Sequence, residues 1–282
     1  MGGYAQGDGL LMDLQLDGRT ALITGSSKGI GEAIAKTLAR EKAIVVIHGR
    51  DEILTEKVAH AITAQGGRAY AVTGDLTCDE DVQRLVEKAE HLAGSIDILV
   101  NNAGGSGGST ESWIDIQPAS WTAAYDRNVL AALRITKRLL PKMQQAKWGR
   151  VINISSLAAM MPPPSSPDYS ACKAAMNAMT VSMAKAVASN GVTVNAVSPG
   201  PIHSSSLDVR FREVAAERGV ANQNAPWDEI ERAVLPMFAQ VPVGRVGRLD
   251  EIADAVAFLA SPVAGYITGV NLRIDGGLLP SL

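Results

Sequence analysis

Residues 20–40 read TALITGSSKGIGEAIAKTLAR. A short apolar run is followed by three glycines within eight residues, and then by apolar positions at helical spacing. A nearly continuous apolar run of this length suits a strand covered on both faces. In TGSSKGIG, residues 24–31, Gly25, Gly29 and Gly31 stand where the strand must turn sharply into a helix. Glycine permits that turn and lets backbone N–H groups approach a pyrophosphate. The helix N-terminus adds a partial positive charge. The spacing is not G-x-G-x-x-G, so the signal rests on its place between the first strand and the first helix. The plain alternative is a glycine-rich turn with no ligand.

Six more β-branched runs follow, at 44–48, 69–73, 96–101, 150–155, 192–197 and 270–274. Helical patterns lie between them at 52–65, 79–92, 119–145, 168–190 and 249–260. Strand–helix alternation implies parallel pairing with right-handed crossovers. The expected fold is α/β: one Rossmann-type domain, a doubly wound parallel seven-stranded sheet with helices on both faces. Residues 1–16 read as a flexible tail and 17–282 as the domain. The long connections 104–118 and 201–248 both follow a strand's carboxyl end, where open α/β sheets bind ligands. The second, with helix-like pieces at 206–218 and 228–239, reads as an insertion covering the substrate.

The tip of the second strand selects the dinucleotide. NAD-binding sheets place Asp or Glu there for the ribose 2′-hydroxyl. Here residues 48–51 are His-Gly-Arg-Asp. Arg50, with Lys28 from the glycine loop, suits a 2′-phosphate, which arginine grips bidentately. NADP(H) is favoured, and NAD stays open if Asp51 turns inward.

Composition removes other classes. The 282 residues carry a net charge of −3, with no basic field for nucleic acid or an anionic membrane. No run approaches the roughly 18 apolar residues of a membrane span. The N-terminus has neither a signal peptide's charge pattern nor a myristoylation motif. Two cysteines, Cys78 and Cys172, exclude a disulfide framework and suit a reducing cytoplasm. The four histidines are not clustered with cysteines or carboxylates, so no metal site is expected.

TGSSKGIG, NNAG at 101–104, Ser156 followed by Tyr169-Ser-Ala-Cys-Lys173, and PGPI at 199–202 occur in that order. The ordered set resembles the short-chain dehydrogenase/reductase family over about residues 16–277, with similarity to 3-oxoacyl-carrier-protein reductases and to sugar or steroid reductases. The resemblance implies cofactor contacts from Gly25, Ser27, Lys28, Gly29, Ile30 and Gly31. It implies adenine contact from Asp75 with Leu76, and adenosine-side support from Asn101, Asn102, Ala103 and Gly104. Pro199, Gly200, Ile202 and Ser204 match the loop at the nicotinamide end, Ser204 standing where the family often has Thr. Asp275-Gly276-Gly277 resembles the family's C-terminal D-G-G. A homotetramer or homodimer, packed through the helices at 119–145 and 168–190, is the family-based expectation.

The chemistry follows from the residue types. Hydride transfer to a ketone needs a proton for the developing alkoxide, and the reverse reaction needs a base. A tyrosine hydroxyl titrates near about 10, so use as a base near pH 7 asks for about 4 kcal/mol of differential stabilisation. Lys173, four residues after Tyr169, lies one helical turn away on the same face, where an ammonium favours tyrosinate. Ser156, at a strand end, is placed to hydrogen-bond the substrate oxygen. In the family, Asn128 links the lysine to a water chain and Lys173 holds the nicotinamide ribose. Met160, Met161 and the prolines of residues 157–168, with Gly105–Gly108 and Trp113, are the candidate pocket walls. They favour an uncharged or weakly polar carbonyl or alcohol. Three alternatives stand beside this one: an NAD-dependent alcohol dehydrogenase, a nucleotide-sensing protein without turnover, and a structural subunit of a hetero-oligomer.

Overall fold

The computed structural model describes residues 13–106 and 113–280. Seven strands form one parallel sheet: β1 (Thr20–Ile23), β2 (Ile44–Gly49), β3 (Arg68–Thr73), β4 (Ile98–Asn101), β5 (Gly149–Ile154), β6 (Val192–Pro199) and β7 (Asn271–Ile274). Their spatial order is β3-β2-β1-β4-β5-β6-β7. Every residue of β1, β4, β5 and β6 is buried, as a strand covered on both faces requires. β3, at one edge, is exposed at Arg68 and Tyr70 and fully buried only at Val72.

Two apolar cores flank the sheet. One joins α1 (Gly29–Arg40), α2 (Glu52–Thr63) and α9 (Leu249–Ala260) to the strands through Ile34, Leu38, Val58, Ile62 and Val256. The other gathers α3 (Asp79–Ala93), α5 (Ala131–Gln145) and α6 (Pro167–Val187) around Leu85, Ile135, Leu139 and Val194. Full burial of each such side chain is worth about 1.5–3 kcal/mol. β1 pairs with β2 on one side and β4 on the other, so the chain's winding reverses there. Loops leaving β1 and β4 therefore part and leave a crevice at their carboxyl ends.

Two expectations need correction. The packed domain begins before residue 17: Leu16 is 1% exposed within the first core, and Leu14 packs against it. Residues 1–12 lie outside the described residues. The single helix expected over 119–145 is interrupted. It is α4 (Pro118–Tyr125), a π-helical turn at Asp126–Leu130, and then α5. The apolar spacing runs on through the interruption, so hydrophobic pattern alone does not mark it.

Residues 201–248 hold α7 (Ser205–Arg218) and α8 (Trp227–Phe238). They enclose a small core of their own, with Phe211, Val214, Ile230, Val234, Leu235, Val241 and Val246 buried together. An aromatic ladder runs through it. His203 stacks on Trp227 at 3.8 Å, Trp227 on Phe211 at 5.6 Å, and Phe211 on Phe238 at 5.2 Å.

Candidate active site

Ser156 lies two residues beyond β5, and Tyr169 stands in the first turn of α6. Their side chains face one another closely enough for the Ser156 hydroxyl to act on the Tyr169 phenol. The Ser156 hydroxyl also accepts from the Ala158 N–H at 3.1 Å, which fixes its direction. Lys173 is buried one turn below Tyr169, its Nζ 5.6 Å from the tyrosine ring centroid. That Nζ donates to the Ile154 carbonyl at 2.7 Å and lies 3.4 Å from Met176 Sδ. Burial pulls the lysine's pKa down to about 8. Burial also raises the Tyr169 hydroxyl above its ordinary value, against a smaller lowering by Ser156. The expected lowering of Tyr169 by the Lys173 ammonium is thus not the outcome here. The ammonium is directed at a backbone carbonyl, and desolvation of the phenol dominates.

Asn128, in the π-helical turn, is fully buried. Its side chain is committed elsewhere than to Lys173. Oδ1 accepts from the Gly105 N–H at 2.8 Å, and Nδ2 donates to the carbonyls of Gly105 at 3.1 Å and Ala124 at 2.9 Å. These bonds give Asn128 a task in the fold, clamping the loop after β4. Gly104 must be glycine there: its φ is +146°, and a Cβ would stand 2.5 Å from Asn128 Oδ1.

The dinucleotide residues converge on the β1–β4 crevice. Gly31 sits so close under the turn that a Cβ would meet the Gly25 carbonyl and Asn102 Nδ2, each at 2.5 Å. Asn102 Nδ2 donates to the carbonyls of Thr24 and Gly25, both at 2.9 Å, locking the glycine turn to the β4 loop. Thr24, unflagged by sequence, completes the lock by accepting from the N–H groups of Asn102 and Ala103 at 3.0 Å. Lys28 precedes α1 without capping it through its side chain, so the first N–H groups of α1 receive no side-chain oxygen from their own N-cap. A phosphate is the acceptor such an end suits. Ser27 stands against Gly49, where a Cβ would come 3.0 Å from the serine oxygen.

Arg50 and Lys28 are exposed at the adenosine side, and Arg50's charge is felt by Asp75. Asp51 does not turn inward. Its Oδ1 accepts from the Leu54 N–H at 3.0 Å and caps α2. Asp75 Oδ1 accepts from the Thr77 N–H and hydroxyl, which hold its pKa down and keep it an acceptor, while Leu76 is buried beside it. Together these groups fit a dinucleotide carrying a 2′-phosphate: helix N–H groups for the pyrophosphate, two cations, and an ionised acceptor for the base.

At the far end, Gly200 donates to the Ile274 carbonyl at 2.9 Å, with Asp275 packed against it. Ile202, two residues beyond Gly200, pairs with Gly247. Ser204 caps α7 by accepting from the Leu207 N–H at 3.3 Å. The proline wall takes a different place from the one expected. Pro162, Pro163, Pro164 and Trp113 line a hollow of about 380 Å³ with Trp121 and the back of α6, and none of Ser156, Tyr169 or Lys173 lines it. Of the expected Gly105–Gly108 wall, Gly107 and Gly108 fall outside the described residues.

The profile of the short chain dehydrogenase family matches residues 19–214. The 3-oxoacyl-(acyl-carrier-protein) reductase of Haemophilus influenzae is 36% identical over 270 residues, covering 93% of this chain and 99% of that one. Nodulation protein G of a Rhizobium species is 35% identical over 264 residues, covering 94% and 98%. Among solved structures, the L-sorbose reductase of Gluconobacter frateurii complexed with NADPH and L-sorbose superposes with a TM-score of 0.88 at 32% identity, covering 96% of this chain and all of that one. A matched glycine turn, an ordered Ser–Tyr–Lys set and relatives spanning nearly the whole length carry one conclusion: the chain belongs to the short-chain dehydrogenase family.

Proposed function

We propose that this chain is an NADP(H)-dependent oxidoreductase working chiefly as a reductase of uncharged ketones. Tyr169 is its proton donor, Ser156 the substrate-oxygen ligand and Lys173 the cation behind both. The approach of Ser156 and Tyr169 at the carboxyl end of β5 carries the reading: two hydroxyls face the same place, where a carbonyl oxygen can meet both. A Tyr169 pKa raised by burial keeps the phenol protonated through neutral pH, the state a reduction consumes. When bound, the dinucleotide supplies the hydride. Gly29 to Gly31 and the α1 N-terminus would hold its pyrophosphate, Arg50 and Lys28 its 2′-phosphate, Asp75 its adenine, and the 199–204 loop its nicotinamide end. Asn128 secures the β4 loop that flanks the dinucleotide.

The resemblance to a ketose reductase solved with NADPH supports both the cofactor and the carbonyl class. α7 and α8 cover the substrate side. The face formed by α4, α5 and α6 exposes Tyr125, Leu133 and Val181, the surface we assign to self-association as a tetramer. No described helix is long and apolar enough to cross a membrane. We place the enzyme in the cytoplasm, in keeping with its unpaired cysteines.

Fluorescence titration with NADPH and with NADH, repeated on Arg50→Ala, tests the cofactor. NADPH binds more tightly, and the variant loses that preference by about tenfold or more. Equal binding of both dinucleotides by the wild-type protein would overturn the 2′-phosphate reading. Turnover is then read as NADPH oxidation across ketoses, 3-oxoacyl thioesters and simple aliphatic ketones.

A further inference from the structure

His48 is 3% exposed at the carboxyl tip of β2, and the chemistry above makes no use of it. Its ring spans two neighbours. Nδ1 accepts from the Gly25 N–H at 3.1 Å, and Nε2 lies 3.1 Å from the Gly74 carbonyl. Its backbone is held as firmly: the N–H donates to Ser26 Oγ at 2.9 Å, and the carbonyl accepts from the Ser26 N–H at 2.8 Å. An amide N–H only donates and a carbonyl only accepts, so one tautomer fits, with the proton on Nε2 and the lone pair on Nδ1. An imidazolium would have no lone pair for Gly25. Burial pushes the ring's pKa to about 4, which keeps it neutral at working pH.

The two partners are not incidental. Gly25 opens the glycine turn that follows β1. Gly74 immediately precedes Asp75 at the end of β3. One residue beyond the β2 tip stands Arg50. We propose that His48 is a positioning residue for the adenosine half of the dinucleotide site, a neutral beam fixing the glycine turn and the Asp75 loop at one separation. This rests on the cofactor reading above. Without the beam, the turn under the pyrophosphate and the acceptor for the base drift independently, and affinity falls. Turnover of the bound complex is untouched, because Ser156 and Tyr169 sit beyond β5. That strand is three places from β2 in the sheet, roughly 15 Å at ordinary strand spacing.

Three variants separate the two bonds. In His48→Asn the side-chain oxygen stands where Nδ1 stood and serves Gly25 alone. In His48→Gln the longer amide reaches towards Gly74 alone. His48→Leu serves neither. NADPH and NADH dissociation constants are measured by fluorescence, with kcat at saturating NADPH and the thermal midpoint for each protein. Leu weakens NADPH binding by about ten- to a hundredfold, since a buried donor and acceptor both lose their partner. Asn and Gln each recover part of that loss, and kcat changes less than about twofold throughout.

Wild-type protein that binds neither dinucleotide would remove the cofactor reading before any variant is made, and the proposal with it. Wild-type protein that binds NADPH, with unchanged constants in all three variants, would overturn the proposal alone. A fall in kcat parallel to affinity, tracking only the thermal midpoint and without recovery in Asn or Gln, would reduce His48 to a packing residue. If the leucine variant fails to fold, the Asn and Gln pair still decides between these outcomes.

Discussion

A tyrosine and a lysine four apart on a helix acquire meaning here from what surrounds each of them. Tyr169 faces the Ser156 hydroxyl and sits where burial favours the protonated phenol. Lys173 keeps its charge in a buried position by donating to the Ile154 carbonyl. Replacing Tyr169 by Phe removes the proton donor and little volume. Ketone reduction should fall by about 10²–10⁴-fold while NADPH affinity stays within about threefold. Survival of more than a tenth of the activity would place the proton donor elsewhere. Lys173 carries the pH prediction. Its ammonium is present below about pH 8 in the free protein and is lost above it. Reductive kcat/KM should therefore be flat through neutrality and decline as pH rises past about 8. In Lys173→Arg, whose guanidinium does not titrate there, that alkaline limb should vanish even if activity is low. A wild-type profile still flat at pH 10 would show that the lysine's charge state does not govern the reaction.

At the scale of elements, the site is made by interruptions in regular structure. The π-helical turn at Asp126–Leu130 brings Asn128 against Gly105, and the β1-to-α1 turn leaves the α1 N-terminus without a side-chain cap, whereas α2 and α7 are capped by Asp51 and Ser204. The α7–α8 unit is a different case, an element with its own small core, and Phe211 is the largest buried side chain in it. Phe211→Ala should cost that unit about 3–5 kcal/mol. Because its core is separate from the two that flank the sheet, the loss should stay local. Amide exchange across 205–238 should quicken by a hundredfold or more, while β1 and β4 exchange as before. Equal acceleration in the sheet would mean the unit is not independent.

This separation also explains what sequence could tell. The strands and the helices at 29–40 and 249–260 were legible because burial on both faces, or on one face, leaves a periodic record. The glycine turn was legible because Gly25, Gly29 and Gly31 answer local needs. The break inside 119–145 was not, since the π-helical turn lies within an unbroken helical pattern and the bond it carries, Asn128 to Gly105, joins residues 23 apart. Nor was the bridging role of His48, or the lock at Thr24, because both depend on which strand tips lie side by side. The proline wall was misplaced for a related reason. Pro162, Pro163 and Pro164 line a hollow with Ser170, Ala171 and Ala174 of α6, and residue types alone do not show which residues of that helix they will face.

For the whole molecule, the reversal of winding at β1 concentrates buried polar groups at one edge of the cofactor crevice, and that has a consequence for stability. His48 titrates at about 4 in the folded protein and near 6.5 in an unfolded chain. Its folded pKa is depressed, so between those values the unfolded chain binds more protons. Stability is then fully present above about pH 6.5 and is lost as pH falls towards 4. The whole window is worth about 3 kcal/mol, of which about 2 kcal/mol falls between pH 7 and pH 5. Most carboxylates remain ionised over that narrower range, so the histidine dominates it. Urea unfolding at pH 7 and pH 5 should show wild-type protein losing about 2 kcal/mol, and His48→Gln, less stable at pH 7, losing much less on acidification. The two curves should approach one another as pH falls. If wild type and variant lose the same amount, the ring titrates in the folded protein as it does in the unfolded chain, and its burial does not couple folding to pH. The contribution of the two bonds at neutral pH is then read only from the stability difference between wild type and variant at pH 7.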